Sequence, residues 1–355
     1  MTKMGHAPCG GSFSTRVDAE LTKASIIDGP LYVQVLERGA TTLVLFGEVH
    51  SRSRCPQRAA VSVPELVRRT LQCRGRGEPV DLFVEEDLDQ AGEHPPSGPQ
   101  ALDMIRSVAS AYRRAPHDGV RLHYTDPRSR LCIPSHPHIM ETVAPLLRHR
   151  HQNGELNQTL MRILDEVVRR PLTTVLSGRH VLFTHHGMRT PDKRTFFRLL
   201  GALRSLLRQT DETLLRRPPT QLQNSTITAA LEQYSFLSNR LHDLYLLGTL
   251  IRPAIQNAVV YLGFNHALFL GRVLRTHMGF RLVREYGHQR TQEADGCLRV
   301  AETRKSSAEA NTYGPPAGAD LAQRRPAATK RTPPAPGAGG RAPPPRRRGG
   351  GPRGG

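Results

Sequence analysis

Four short apolar runs, each built from Val, Leu, Tyr or Phe, end abruptly in carboxylates and imidazoles. Thr41 to Phe46 leads into Gly47-Glu48-Val49-His50, and Val80 to Val84 into Glu85-Glu86. Val120 to Tyr124 leads into Thr125-Asp126-Pro127-Arg128, and Ala258 to Leu262 into Gly263-Phe264-Asn265-His266. Runs of this length and composition read as strands of a buried sheet. Stretches of helical spacing separate them. In Ala101 to Tyr112, for example, Leu102, Ile105, Val108, Ala109 and Tyr112 form an i, i+3, i+4 stripe. Strand alternating with helix predicts an α/β domain: a central, mostly parallel sheet flanked by helices.

The remaining pattern sets the boundaries. Residues 1–20 show no apolar period and read as a loose N-terminus. The domain proper is expected over residues 21–302. It opens with a hairpin, Tyr32 to Leu36 turning at Arg38-Gly39 into Thr41 to Phe46. Residues 138–250 read as mainly helical, an insertion or cap, with a strand candidate at His180 to Phe183 and a break at Arg216-Arg217-Pro218-Pro219. The helix Ala267 to His277 and a final strand Phe280 to Val283 close the domain. With 37% hydrophobic residues in 355, the chain can bury one sizeable core.

Residues 303–355 are rich in Arg, Pro and Gly, a composition that cannot bury enough apolar surface to fold, and are expected to be disordered. They carry eleven basic and two acidic residues, about half of the net charge of +19. Arg324 and Arg325, followed by Lys330 and Arg331, resemble the first half of the nucleoplasmin import signal. The expected partners of the tail are an import receptor or nucleic acid, and the expected location is intracellular and nuclear. Only five of the fifty basic residues are lysine, so GC-rich codons also contribute to the basicity.

Other classes are excluded by what is missing. The five cysteines, at 9, 55, 73, 132 and 297, show no CxxC spacing and read as reduced thiols. The best apolar runs, Leu244 to Ile251 and Ala258 to Leu262, are interrupted by Arg252, Pro253, Gln256 and Asn257, so no membrane span is expected.

In open α/β sheets, ligands bind beyond the carboxyl ends of the strands, which is where the polar clusters fall. Imidazoles and carboxylates together either bind a divalent metal or orient and deprotonate water for attack on an ester or amide. Glu48, His50, Glu85 and His266 are the candidate catalytic groups. Glu48, His50, Glu86, Asp126 and His266 are the candidate ligands for Mn, Co, Zn or Fe. Arg128 is the candidate for binding an anionic substrate group. His185-His186, His136 and His138 are weaker candidates. Asp243 lies in the otherwise apolar Leu241 to Leu247, so it must meet an Arg or His, or face the site.

These motifs and their order, LVLFGEVHS, DLFVEEDL, HYTDPR, LHDLYLLGTLIR, VVYLGFNHALFLGRVL and GFRLV, resemble the Tiki/TraB superfamily, which includes erythromycin-esterase-like and ChaN-like haem-binding proteins. They are more similar still to uncharacterised proteins of large nucleocytoplasmic DNA viruses. The resemblance covers about Tyr32 to Val283. It implies a hydrolytic, metal-assisted site in which Glu48 and His50 form the first cluster, Glu85 the second and His266 the last, acting on a small molecule or peptide. Phe264 and Asn265 stand where viral relatives often place an acidic residue. The competing expectation is a non-enzymatic virion or nucleic-acid-associated protein acting through its basic tail.

Overall fold

The computed structural model describes residues 11–24, 26–28, 30–48, 60–72, 78–87, 108–110, 112–113, 119–134, 136–149, 154–179, 188–216, 223–287 and 297–299. The protein is α/β, as the alternation predicts. Its main sheet has six strands in the order β6-β5-β7-β3-β2-β8. These are β2 (Pro30–Arg38), β3 (Thr41–Glu48), β5 (Val80–Asp87), β6 (Val120–Asp126), β7 (Asn257–Gly263) and β8 (Arg281–Gly287). The block β6-β5-β7-β3 is parallel throughout, while β2 pairs antiparallel with both β3 and β8. The sheet is therefore mixed, with its parallel part at the end that carries the polar clusters. Gly39, at φ 59°, makes the tight turn between Arg38 and Thr41, which pair directly.

Side chains alternate across the sheet and feed two cores. On one face Leu43, Leu45, Phe83, Ala258, Val260 and Leu262 pack beneath a helical layer. That layer comprises α3 (His136–His149), α4 (Gly154–Ile163), α5 (Arg170–Thr174), α6 (Thr190–Leu215), α7 (Asn224–Leu250) and α8 (Phe264–His277). One-turn π-helical segments, Leu164–Arg169 and Val175–Arg179, flank α5. The described part of residues 138–250 is mainly helical. His180 to Phe183, the strand candidate, lies outside the described residues.

On the opposite face Val33, Val35, Val44, Phe46, Leu82, Val84, Val259 and Tyr261 pack against α1 (Phe13–Lys23) and α2 (Val63–Gln72). A small second sheet completes this side, ordered β4-β1-β9, from β4 (Val61–Ser62), β1 (Ile26–Asp28) and β9 (Cys297–Arg299).

Helix α1 corrects the reading of a loose N-terminus from Phe13 on; residues 1–10 lie outside the described residues. Phe13, Val17 and Leu21 recur every four residues, bury completely or nearly so, and form one helical face. Ser12 caps the helix by accepting from Thr15 N. The face is only one residue wide and includes buried Arg16 and Glu20, which is why its period is faint in the sequence.

Helix α7 is the structural keel of the helical layer. It is buried along most of its length and on more than one face, including Ile227, Leu231, Leu237, Leu241, Leu244, Leu247 and Leu250. Any polar side chain on such a helix must find a partner inside the protein.

Candidate functional site

The carboxyl ends of β5, β6 and β7 and the start of α8 converge on the middle of α7. Along β5, Asp81, Phe83 and Glu85 alternate onto the face that looks at the helical layer, and Phe83 lies in its core. Glu85 is buried there. Its Oε2 accepts a 2.6 Å hydrogen bond from the backbone N–H of Gly263, the N-cap residue of α8, so a backbone amide at a positive helix terminus fixes the carboxylate. Its Oε1 faces two imidazoles, with His266 Nε2 at 3.5 Å and His242 Nδ1 at 3.9 Å.

His266 sits in the first turn of α8, with Nδ1 2.7 Å from Asp243 Oδ1. Asp243 is fully buried and also paired with Arg240, whose guanidinium stacks 3.9 Å above the ring of Phe269. Burial opposes ionisation of Asp243, but His266 and Arg240 outweigh it and hold its pKa below the usual carboxylate value. An ionised Asp243 only accepts, so His266 donates from Nδ1 and turns Nε2 toward Glu85. This is the carboxylate–histidine pairing that orients metal-binding imidazoles.

His242 is reached from the other side. Thr125 Oγ1 donates to Val84 O at 3.1 Å and therefore accepts from His242 Nε2 at 3.3 Å. That assignment leaves Nδ1 as a bare acceptor nitrogen. It is buried, has no hydrogen-bond partner, and points toward Glu85. Burial, and then the charge on His266, push the pKa of His242 down to about 4, so it is neutral near pH 7. For His266, burial also opposes the charge, but Glu85 and Asp243 outweigh it and raise the pKa. The two rings lie 4.7 Å apart between centroids.

Glu85, His242 and His266 each present one ligand atom, all within 4.8 Å of one another, and this group can hold a metal ion. Two imidazole nitrogens and a carboxylate oxygen match the donor sets of Zn and of non-haem Fe, and also suit Mn or Co.

Beside the group, Arg128 is clamped by Asp126: Nε donates to Oδ1 at 2.8 Å, Nη2 to Oδ2 at 2.6 Å, and the Arg128 backbone N–H to Oδ1 at 3.0 Å. Nη1 reaches Asn239 Oδ1 at 3.2 Å. Despite burial, the Arg128 charge and hydrogen bonds hold the Asp126 carboxyl at about 2. Asp126 in turn raises the pKa of Arg128 against its burial, and Glu85 and Asp243 add to that effect. The guanidinium charge is thus felt by the same carboxylates that line the site.

The structure brings together Glu85, His266, Asp126 and Arg128 of the expected set, and separates Glu48 from them. Alternation along β3 and β7 puts Glu48 on the face of Phe46 and Tyr261, opposite that of Glu85, and Glu48 accepts a 2.5 Å hydrogen bond from the Tyr261 hydroxyl. Asp126 serves Arg128 instead of joining the ligand group. The Glu86 side chain and all of His50 lie outside the described residues, as do His185 and His186. So do the tail residues Arg324, Arg325, Lys330 and Arg331.

Asp243 meets both an Arg and a His, which its buried position required. His242 is the participant that sequence reasoning missed. The signal was adjacency: His242 and Asp243 are consecutive polar residues in an apolar helix, so both needed partners.

No family profile, curated protein or solved structure matches the chain. No helix among the described residues is long and apolar enough to cross a membrane.

Proposed function

We propose that the protein is a metal-dependent hydrolase whose cation is held by Glu85, His242 and His266. One observation carries the reading: two buried imidazoles, each fixed through its far nitrogen, direct their remaining nitrogens at one carboxylate oxygen. A structural core has no use for a bare, buried His242 Nδ1, whereas a cation gives it a partner. The resemblance to the Tiki/TraB superfamily points the same way.

A cation bound there supplies Lewis acidity for hydrolysis of an ester or amide. The chain's own residues prepare the rest. Asp243 holds the imidazole plane of His266, and Thr125 holds that of His242. Arg128, locked in place by Asp126 and charged at every working pH, is placed to bind an anionic group of the substrate or to stabilise negative charge developing on the scissile carbonyl oxygen. Loading requires His266 to give up the proton that Glu85 and Asp243 favour, so binding releases a proton.

The test is the metal content of the purified full chain, beside a His242→Ala/His266→Ala double variant, with thermal stability measured in added Zn, Mn, Co and Fe. The expected result is near-stoichiometric metal in the wild type, its loss in the variant, and ester or amide hydrolysis that a chelator removes. No metal in the wild type, with no difference in metal response between the two proteins, defeats the proposal.

A further inference from the structure

Several helical arginines are neutralised by acids on the same or the adjoining helical segment. On α2, Glu65 pairs with Arg68 and Arg69. Asp165 pairs with Arg169 and Arg170, Glu212 with Arg216, and Asp243 with Arg240.

One stretch gathers unpaired basic residues more densely. Between Asp192 and Asp211, α6 carries Lys193, Arg194, Arg198, Arg204 and Arg208 and no acidic residue. The four arginines are exposed, and none pairs with a carboxylate among the described residues. Asp192, the acid at the head of the helix, is buried and taken by Arg38 of β2. Arg204 donates to Leu176 O and Ser177 O, and Arg198 to His277 Nδ1 at 3.2 Å, so both guanidinium groups remain uncompensated charges.

Arg194 with Arg198, and Arg204 with Arg208, stand at i, i+4, where like charges repel and weaken a helix. Residues 194 to 208 span roughly 21 Å of helix at 1.5 Å per residue. Within this stripe one large apolar side chain is exposed: Phe197, 38% accessible, between Arg194 and Arg198.

We infer that the outer face of α6 from Arg194 to Arg208 is a binding surface for single-stranded nucleic acid, with the arginines on the phosphates and Phe197 as a base-stacking platform. A row of cations interrupted by an exposed aromatic is the combination that tracks a single strand, because every base offers a π-face and every linkage a charge. A membrane fits less well. The apolar side of α6, with Phe196, Leu199, Leu200, Leu203 and Leu207, is buried in the core, so the helix has no apolar face to place among lipids. The inference does not use the residues of the basic C-terminal segment and is independent of the metal proposal.

The test is fluorescence anisotropy of a labelled 20-nucleotide oligo(dT) titrated with the full chain across a salt series. Three proteins are compared with the wild type: Arg194→Ala/Arg198→Ala/Arg208→Ala, Phe197→Ala, and a charge-matched control, Arg68→Ala/Arg170→Ala/Arg284→Ala, on other surfaces. Circular dichroism verifies that each is folded. The stripe variant should lower the slope of log K against log salt by about two, at about 0.7 per lost single-strand phosphate contact. Phe197→Ala should weaken binding by about fivefold or more with the slope unchanged. The control should keep the wild-type slope. Equal losses in the stripe variant and the control would assign binding to overall charge and overturn the inference, as would an absence of wild-type binding. Binding to phosphatidylserine vesicles that the stripe variant abolishes, with oligo(dT) binding untouched, would show a lipid surface instead.

Discussion

Asp243 Oδ1 accepts a 2.7 Å hydrogen bond from His266 Nδ1, across the gap between a buried helix and the first turn after a strand. The bond decides which imidazole nitrogen meets Glu85. Asp243→Asn should therefore leave a His266 that is free to flip or to carry its proton on Nε2. Outer-shell changes of this kind typically weaken metal binding by about 10- to 100-fold. Competition with a chromogenic chelator measures the affinity, and an unchanged value would remove Asp243 from the site.

His242 separates stability from metal response. It is fully buried, neutral near pH 7, and has one unpartnered nitrogen, so His242→Leu removes a polar group that the metal-free core does not need. The metal-free variant should melt no lower than the metal-free wild type, within about 1 kcal/mol. It should also lose the metal-induced rise in Tm, which for the wild type grows as the logarithm of metal concentration over Kd. Thermal melts with and without Zn test both halves.

Glu48 provides the converse. Because its carboxylate lies on the opposite face of the sheet with Tyr261, Glu48→Gln should leave metal content and affinity as in the wild type. Tyr261→Phe should cost about 1–3 kcal/mol, since it removes the phenol that serves a buried carboxylate. Urea unfolding of both variants, beside their metal content, distinguishes a structural Glu48 from a ligand.

Gly47 sets how closely α8 lies on β3. A β-carbon there would stand 3.0 Å from Ala267 Cβ and 3.1 Å from the Phe264 backbone Cα. Gly47→Ala should push the first turn of α8 outward, costing about 1–3 kcal/mol as an overpacked contact. It should also loosen metal binding, because His266 rides on that turn. A stability loss with unaltered affinity would show that the turn shifts as a unit with β7.

Acid stability should depend on a cluster at the opposite end of the sheet. Burial opposes the charge on Asp81, but hydrogen bonds from His123 and Arg121 outweigh it and lower its pKa. A carboxyl whose folded pKa lies below its unfolded value contributes fully above about pH 4, and the contribution is lost as pH falls through the folded pKa. Asp81→Asn should thus flatten the fall in stability below about pH 4, read from urea midpoints at pH 3 to 6. An unchanged acid limb would assign that loss to other carboxyls.

The strands and their polar ends were legible because buried parallel strands are continuous apolar runs and their termination is abrupt. The identities of Glu85, His266 and Arg128 followed from that alone. The separation of Glu48 from Glu85 was not legible: each lies near the end of its strand, and only the paired register of β3, β7 and β5 sends their side chains to opposite faces. His242 was hidden because a helix buried on more than one side has no polar face on which a ligand would stand out. Helix α1 was hidden by the brevity of its apolar stripe.

Strand β7 lies between β3 and β5, yet the ribosome makes it about 170 residues after β5 ends. Until then the nascent chain holds two parallel-type strand edges with nothing between them, and the Glu85, His242 and His266 group lacks His266. Translation that stops before Asn257 should leave a product that cannot close its sheet, an adhesive species that quality control must clear. Sheet closure and arrival of His266 are one event in synthesis, because β7 runs directly into α8. A chain that has assembled Glu85, His242 and His266 is by the same step a chain in which β7 has filled the gap between β3 and β5.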